Sequence, residues 1–393
     1  MRKVIAATGN QAIAIALRQI EPDVMCAYPI TPSTQIMETY AQYIADGIVK
    51  TELRLVESEH SAMSACIGAS AAGARVVTAS SSQGIALMHE ILYIASGLRL
   101  PIVMAVANRA LSAPINIHGD HSDTMGSRDA GWIQLYAKNA QEAYDTIIQA
   151  IRIAEGARLP VMVCFDGFTI SHSVQRIEIL EDAEVKDFIG VYKPEHSLLD
   201  IKRSKTFGTF ALPNFYAEIK YQQRDAMRKA LYIIKDIDTE FLNRFGTSYG
   251  LFETYMLEDA EIATVVIGST AGTLKYATDE MRKEGIRAGM LRIRAFRPFP
   301  AKDITDTLKH LKAIMVLDRT DSPGTDGPLY QDICSALIDM PIHPSISNFM
   351  YGLGGRELAL EKAKRIYRDL ADATRKGIKV EHGYDVRTEG VGR

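Results

Sequence analysis

A threonine between two prolines and an arginine are the first candidates for chemistry in this sequence. Thr31 lies in YPITPST, after the apolar run 24–28, and its hydroxyl can hydrogen-bond to a small carboxylate or carbonyl group. Arg109 follows the apolar run 101–107, and its guanidinium suits a bidentate bond to a carboxylate. Because ligands of open α/β sheets bind at the carboxyl ends of the strands, both are candidates for binding a small carboxylate ligand. The structural alternative for Thr31 is the N-cap of a helix that begins at Pro32.

An acidic residue, Glu59, is the third candidate and follows the predicted strand 53–57. The stretch 60–72 behind it is rich in small residues, which favours a helix packed closely against a neighbour. A carboxylate at a helix N-terminus is favourable by electrostatics alone, and this is the structural alternative. A carboxylate buried at a junction between subunits could instead share a proton with a ring nitrogen of a ligand.

The loop after Arg109 holds four residues that could bind a metal, hold a turn by hydrogen bonds or face a substrate. They are His118, Asp120, His121 and Asp123. Spacing alone is weak evidence for a metal site, so a hydrogen-bonded turn on the substrate side is favoured.

The sequence GSTAGT at 268–273 follows an apolar run and resembles a turn that binds phosphate through backbone N–H groups. It matches neither the dinucleotide-binding nor the P-loop consensus, and a tight turn without a ligand is the favoured interpretation. Two other loops that follow apolar runs, at 165–168 and 318–320, are ordinary by themselves.

The composition is that of a globular protein, with 393 residues of which 47% are hydrophobic and 24% charged. A net charge of -3 gives no reason to expect nucleic acid or an anionic membrane as a partner. The four cysteines, Cys26, Cys66, Cys164 and Cys334, are far apart in sequence, which predicts buried reduced thiols and no metal or iron–sulfur site. No apolar run reaches membrane-spanning length, and we expect an unprocessed cytoplasmic protein.

Short apolar runs alternate with helical patterns, which predicts βαβ units and a mostly parallel sheet. The expected fold class is α/β, with a doubly wound domain at 1–178, a connecting segment at 179–258 and a second α/β domain at 259–393. The connecting segment carries charged helical sequence. We interpret it as a segment that crosses the surface or as a face that meets another subunit, and a solvated linker is the structural alternative.

Several sequence pieces together resemble one family, namely YPITPST, SEH before a small-residue helix, ANRALSAP, GDHSD, FDGFTISH, RAFRPFP and VLDRTDSPG. They are similar, nearly end to end, to the alpha subunits of pyruvate:ferredoxin oxidoreductase (pyruvate synthase), in the 2-oxoacid:ferredoxin oxidoreductase family. The resemblance implies that 1–178 is a domain that binds the pyrimidine ring of thiamine diphosphate. It also implies that 259–393 is similar to the C-terminal domain of transketolase.

The family's functional roles fall on residues of this chain. The resemblance implies that Glu59 contacts the aminopyrimidine ring and promotes removal of the proton at C2 of the thiazolium ring. Pro29 and Ile30 would also border this cofactor. Thr31 and Arg109 would hold the carboxylate and carbonyl groups of pyruvate. The expected catalytic residues are therefore Glu59, Thr31 and Arg109, with no metal ligand on this chain.

The resemblance also implies partner chains, because two expected features are missing from the sequence. It contains no G-D-G motif with a downstream Asn for diphosphate and Mg²⁺, and no cysteine cluster for electron transfer. A beta subunit would supply the diphosphate-binding domain, Mg²⁺ and a 4Fe–4S cluster. A gamma subunit and a ferredoxin-like delta subunit with two more clusters complete the set. The expected reaction is the coenzyme-A-dependent oxidative decarboxylation of pyruvate to acetyl-CoA and CO2, with electrons passed to ferredoxin.

Three alternatives stay open. The enzyme could act on 2-oxoglutarate or a branched-chain 2-oxoacid, although the loop after Arg109 resembles that of the pyruvate type. The chain could be a noncatalytic scaffold subunit, against which the presence of Thr31, Glu59 and Arg109 argues. It could also be a stand-alone enzyme that binds a nucleotide at the GSTAGT turn, which predicts nucleotide binding by the isolated chain.

Overall fold

The chain folds around two large β-sheets of seven and six strands, with a short two-stranded sheet beside the first. This is the arrangement in a computed structural model, which describes residues 2–387. The elements of the first part are β1 (Lys3–Ala7), α1 (Gly9–Ile20), β2 (Val24–Ala27), α2 (Thr34–Ala45), β3 (Glu52–Leu55), α3 (Glu59–Ala71), β4 (Val76–Ser80), α4 (Gln83–Leu87), α5 (His89–Gly97), β5 (Ile102–Asn108), α6 (Ser122–Met125), β6 (Ile133–Tyr136), α7 (Ala140–Ala157), β7 (Val161–Asp166), β8 (Gln175–Ile179) and α8 (Asp182–Ile189).

Six parallel strands of the seven-stranded sheet run in the order β6-β7-β5-β4-β2-β3. The central strands β4, β5 and β7 are buried along their whole length, which explains their continuous apolar runs. After β3 the chain returns past β2 to form β4, so β2 and β4 are the neighbours at which the strand order reverses. Ligands of open α/β sheets bind at the carboxyl ends of such a pair.

Three parts of this region differ from the sequence prediction. The first strand, β1, pairs antiparallel with β8 and lies outside the main sheet. Residues 133–157, to which the apolar pattern assigned no element, form β6 and α7. The apolar sequence at 85–97 predicts one helix, whereas the structure has two, α4 and α5, which meet at Met88, whose backbone is not helical.

Within the connecting segment, α8 is followed by a 3₁₀ turn at Ile201–Arg203, one long helix, α9 (Pro213–Phe245), and the strand β9 (Phe252–Tyr255). The later turns of α9 pack into the core of the first sheet's layer through Ala226, Ala230, Ile234, Ile237 and Phe241. Their spacing of three or four residues places them on one face of the helix. The first turns of α9 are exposed, including Phe215 and Tyr216. This segment is therefore partly packed and partly exposed, and not a solvated linker throughout.

The second sheet has the strand order β15-β14-β13-β10-β11-β9 and is parallel except for β9 at its edge. The sequence of the last helix carries apolar residues at helical spacing, and all of them are buried, namely Ala363, Ile366, Tyr367, Leu370 and Ala373. One short strand, β12, leaves this part of the chain and pairs with β6 at the edge of the first sheet. The elements are β9 (Phe252–Tyr255), β10 (Ile262–Ile267), α10 (Ala271–Lys283), β11 (Ala288–Ile293), β12 (Ala295–Arg297), α11 (Ala301–Leu308), β13 (Ala313–Asp318), α12 (Pro328–Leu337), β14 (Ser345–Met350), α13 (Leu360–Lys376) and β15 (Gly383–Tyr384).

All four cysteines are free thiols, and Cys26, Cys66 and Cys164 are buried as the sequence predicts. Cys334 is only partly buried. Among residues 2–387, no helix has both the length and the apolar character that crossing a membrane requires.

Candidate functional site

Thr31 and Arg109, which are 78 residues apart, meet at the carboxyl ends of β2 and β5. The Nη1 atom of Arg109 donates to the backbone oxygen of Thr31 over 3.0 Å, and its Nε atom donates to that of Asn116 over 2.8 Å. Burial lowers the pKa of Arg109 from its ordinary value, but a guanidinium stays charged at neutral pH. Thr31 itself is exposed. Thr31 is therefore accessible to a ligand at this end of the sheet, beside a guanidinium that two backbone oxygens hold in place.

Thr31 does not cap a helix, so that alternative is wrong. Helix α2 begins at Thr34, and its N-cap is Ser33, whose hydroxyl donates to the backbone oxygen of Ile30 over 2.9 Å. Pro29 is exposed and Ile30 is partly buried in the same turn. The Thr31 hydroxyl is consequently left for another role.

Glu59 is the first residue of α3, and only 7% of its surface is exposed. The helix is capped by Ser58, whose hydroxyl accepts a hydrogen bond from the backbone N–H of Ser61 over 3.2 Å. Within the described residues, the Glu59 carboxylate has no hydrogen-bond or ion-pair partner. The side chain is mostly buried, but its unpaired carboxylate oxygens are not sealed from solvent, which leaves them available to a ligand.

The wall opposite Glu59 is made by the loop after β4. A Cβ atom at Gly84 would lie 2.8 Å from Oε1 and 2.7 Å from Cγ of Glu59, so only a glycine fits there without a shift. The Ser80 hydroxyl lies beside the same point, and it is buried without a partner in the described part of the chain. A carboxylate and a hydroxyl that both lack partners fit a ligand ring that donates and accepts hydrogen bonds, such as an aminopyrimidine.

Glu59 and Arg109 do not touch each other, and Asp123 connects the loops on which they depend. Its carboxylate accepts hydrogen bonds from the backbone N–H groups of Ser82 and Arg109, each over 2.9 Å, and from the side chain of Asn108 over 2.8 Å. Burial raises the pKa of Asp123 to about 6. The three candidates of the sequence thus lie around one end of the sheet.

The loop at 112–123 is a hydrogen-bonded turn. Its two aspartates and two histidines each contact different residues. Asp120 accepts from Ser122 and from the backbone N–H of Gly354, over 3.0 Å in each case. His121 bonds to Asp166, and His118 packs on Phe168. Among residues 2–387, no three His, Cys, Asp or Glu side chains are placed to hold a metal ion. The arrangement agrees with a turn that fixes Arg109 and contacts the second sheet's loops.

Asp166 fills the turn that resembles a phosphate site. Its carboxylate accepts from the backbone N–H of Ser269 over 2.9 Å and from the Ser269 hydroxyl, and pairs with Arg319 over 2.9 Å and with His121 over 2.7 Å. Although burial alone would raise the pKa of this carboxyl, the charges of Arg319 and His121 hold it well below its ordinary value. The GSTAGT turn therefore binds a carboxylate of its own chain, which argues against a nucleotide there.

A G-x-S-x-G sequence at 246–250 is not a nucleophile site. It follows α9 and precedes β9, whereas a nucleophile elbow joins a strand to a helix. The Ser248 hydroxyl donates to the Asp238 carboxylate over 2.5 Å, and no histidine takes part.

Family models match both parts of the chain. Residues 15–239 match the model for pyruvate flavodoxin/ferredoxin oxidoreductase, thiamine diphosphate-binding, and residues 260–363 match the model for pyruvate:ferredoxin oxidoreductase core domain II. The chain belongs to the pyruvate:ferredoxin oxidoreductase family.

Family members with established names are similar over almost the whole chain. Pyruvate synthase subunit PorA of Thermotoga maritima is 51% identical over 93% of this chain and 94% of its own length. The PorA subunit of Methanocaldococcus jannaschii is 48% identical over 95% and 96%. Ketoisovalerate oxidoreductase subunit VorA of Pyrococcus horikoshii is 40% identical over 96% and 95%. The chain is therefore a member of an oxidoreductase family whose enzymes consist of several subunits.

Two solved structures share the fold. The 2-oxoglutarate:ferredoxin oxidoreductase of Magnetococcus marinus superposes with a TM-score of 0.70 at 20% identity, over 93% of this chain and 65% of that chain. A split-gene transketolase superposes with a TM-score of 0.56 at 14% identity, over 94% and 97%. At these identities the likeness supports the α/β fold and nothing more specific.

Four residues near these candidates were not identified from the sequence. Ser80, Ser82 and Gly84 stand in SSSQG, which has no consensus of its own, and Asn108 precedes Arg109 without any distinct pattern. The signal that could have found them is position, because Ser80 and Asn108 end β4 and β5, and Ser82 and Gly84 follow β4 directly. Residues at the carboxyl ends of parallel strands are candidates whatever their type.

Proposed function

We propose that this chain supplies one side of a thiamine diphosphate site that a second subunit completes. The assembled enzyme would catalyse the coenzyme-A-dependent oxidative decarboxylation of pyruvate to acetyl-CoA and CO2, with electrons passed to ferredoxin. The observation that carries the proposal is the buried carboxylate of Glu59, which has no partner in the described chain and faces a glycine. Thr31 and Arg109 lie at the same end of the sheet.

Glu59 would hold a proton against a ring nitrogen of the aminopyrimidine. Its side chain is only 7% exposed, which limits competition from water for that hydrogen bond, and neither carboxylate oxygen has a partner in the described part of the chain. The Ser80 hydroxyl offers a second hydrogen bond on the facing loop. When bound, thiamine diphosphate supplies the electron sink for decarboxylation.

Arg109 and Thr31 would bind the oxoacid. The guanidinium is fixed by two backbone oxygens, so it can meet a carboxylate without a further loss of side-chain freedom. Loss of CO2 removes the negative charge from the substrate, so the attraction between this charge and Arg109 is stronger before the transition state than in it. These contacts therefore position the oxoacid and do not stabilise the transition state.

The rest of the machinery would lie on partner chains. We assign the diphosphate-binding domain, Mg²⁺ and a 4Fe–4S cluster to a beta subunit, and further clusters to a ferredoxin-like delta subunit beside a gamma subunit. Residues 1–178 would form the pyrimidine-binding domain and 259–393 the transketolase-like domain, joined by 179–258. A cytoplasmic location is part of the same proposal.

The test is purification of the native complex without oxygen, followed by identification of its subunits and assay of oxoacids. We expect bound thiamine diphosphate and ferredoxin reduction that depends on pyruvate and coenzyme A. A preference for 2-oxoglutarate or 2-oxoisovalerate would correct the substrate. A complex without thiamine diphosphate and without oxoacid-dependent reduction would contradict the proposal.

A further inference from the structure

Two loops with different proposed functions lie side by side at the carboxyl end of the first sheet. The loop after β4, at 80–84, forms the wall that faces Glu59. The loop after β5, at 108–111, carries Arg109. In the proposed function, the first loop borders the cofactor and the second holds the oxoacid. The reaction needs both in a fixed relative position, because the substrate must reach the cofactor in one orientation.

Asp123 is bonded to both loops through a single oxygen. Its Oδ2 atom accepts from the backbone N–H of Ser82 and from that of Arg109, each over 2.9 Å. Its Oδ1 atom accepts from the Asn108 side chain and from the backbone N–H of Thr124, each over 2.8 Å. The residue is 2% exposed, so water does not compete for these bonds. All four partners are donors, and only a carboxylate can accept from all of them.

The backbone of the β4 loop is strained, so the loop needs the hydrogen bond to Asp123 to keep its conformation. Ser82 has φ of 48° and ψ of -123°, a conformation that residues with a Cβ atom rarely adopt. Its hydroxyl also lies 2.6 Å from the backbone oxygen of Ala110 in the β5 loop. Ser82 is therefore linked to the arginine loop directly through Ala110 and indirectly through Asp123, and both hydrogen bonds help to hold the strained turn.

We infer that Asp123 is a positioning residue that couples the cofactor wall to the oxoacid clamp, so that the two loops hold their places as one unit. This inference rests on the proposed function for the duties of the loops. Asp123 touches neither substrate nor cofactor in this account. It acts through the backbone of Arg109 and through the strained turn that places Gly84 against Glu59.

The first variant is Asp123→Asn in the complete enzyme complex. Whichever way the amide turns, its NH2 group faces two donors, so two of the four hydrogen bonds are lost. We expect the KM for pyruvate and the Kd of the complex for thiamine diphosphate each to rise by roughly tenfold or more. Hydrogen–deuterium exchange of the backbone amides should become faster in both segments, 80–84 and 108–111.

The matched control is Asp318→Asn. Asp318 is also buried and its pKa is also raised by burial to about 6. It accepts from the backbone N–H groups of Leu329 and Tyr330 and from the side chain of Asn348, but it bonds to neither loop. This variant should lose stability to a similar extent, with KM, Kd and exchange at 80–84 unchanged.

A second variant separates positioning from general loss of structure. Ser82→Gly removes the backbone penalty at φ of 48°, because glycine adopts this region readily. In the Asp123→Asn background, it should restore much of the affinity for thiamine diphosphate, whereas the KM for pyruvate should stay high. If Asp123→Asn changes KM and Kd no more than Asp318→Asn does, or if Ser82→Gly restores neither, the coupling is wrong. Failure of the proposed function would show differently, as full turnover by a Glu59→Gln complex.

Discussion

At the residue scale, the account depends on three side chains that come from three strand ends. Thr31, Glu59 and Arg109 could be selected from the sequence because each follows a predicted strand, but their contacts could not. The hydrogen bond from Arg109 to the backbone oxygen of Thr31 joins residues that are far apart in the chain. Every residue has a backbone oxygen, so the residue types do not show which one accepts this bond. The lone carboxylate of Glu59 depends on Gly84, whose role appears only when α3 and the β4 loop are in contact.

Replacing the oxoacid clamp should affect substrate binding first. In Arg109→Ala, the KM for pyruvate should rise by roughly tenfold to a hundredfold, with a smaller fall in kcat, because a charged contact to the carboxylate is lost. Steady-state kinetics of the complex measures both. Arg109→Lys, which keeps the charge but not the fork of donors, should give an intermediate KM. The control is Arg176→Ala, an exposed arginine on β8. An unchanged KM in Arg109→Ala would remove this residue from the substrate site.

At the element scale, the parallel strand set could be predicted from continuous apolar runs, and the positions of the loops could not. β6 and α7 were missed because residues 133–157 are almost all buried, so polar side chains such as Gln134 and Glu142 interrupt the apolar pattern. β1 pairs with β8 and not with a strand of the main sheet. Its position therefore depends on a strand that lies far along the chain, in which Ile177 pairs with Ile5. The helix predicted at 85–97 is divided at Met88, whose backbone, with φ of -84° and ψ of 5°, is not helical.

The contact between the β4–α4 connection and α3 should tolerate no side chain at Gly84. In Gly84→Ala, the new Cβ atom would overlap with Glu59, so the carboxylate must move. We expect the affinity of the complex for thiamine diphosphate to fall by roughly tenfold or more, with little change in Tm. Gly97→Ala on α5 is the control, because no atom lies within 4 Å of its Cβ position. Titration calorimetry and thermal unfolding give the two readouts, and normal affinity in Gly84→Ala would argue against a ligand at Glu59.

At the scale of the whole molecule, one buried ion network joins the two halves of the chain. Asp166 from the first sheet pairs with Arg319 and with the GSTAGT turn from the second. In the sequence, two of these loops are ordinary and the third resembles a phosphate-binding turn, and the contacts among them are visible only in the fold. A turn that looks like a ligand site in isolation is thus part of the junction.

Breaking this network should destabilise the enzyme at neutral pH. Asp166→Asn leaves the Arg319 guanidinium buried without its counter-charge, which costs roughly 3–5 kcal/mol and should lower Tm by about 10 °C. The pKa of Asp166 is lowered by folding, so its contribution is present above the pKa of the unfolded carboxyl, near 4, and is lost only as the pH falls below that value.

In thermal unfolding of the complex, the Tm of Asp166→Asn should therefore lie below that of wild type by the same amount at every pH between 5 and 8. The control is Asp259→Asn, which removes an exposed partner of Arg282 and should change Tm little. A loss of Tm that disappears toward pH 8 would contradict the assignment.

The central claim is that the Glu59 carboxylate drives the loss of the proton at C2 of the thiazolium ring in a pocket completed by a partner subunit. The most direct measurement is the rate of hydrogen–deuterium exchange at C2 in the assembled complex, compared for wild type, Glu59→Gln and the neighbouring exposed Glu57→Gln. We predict that Glu59→Gln slows this exchange by roughly a hundredfold or more, whereas Glu57→Gln leaves it at the wild-type rate. Exchange at the wild-type rate in a Glu59→Gln complex that still binds thiamine diphosphate would contradict the account.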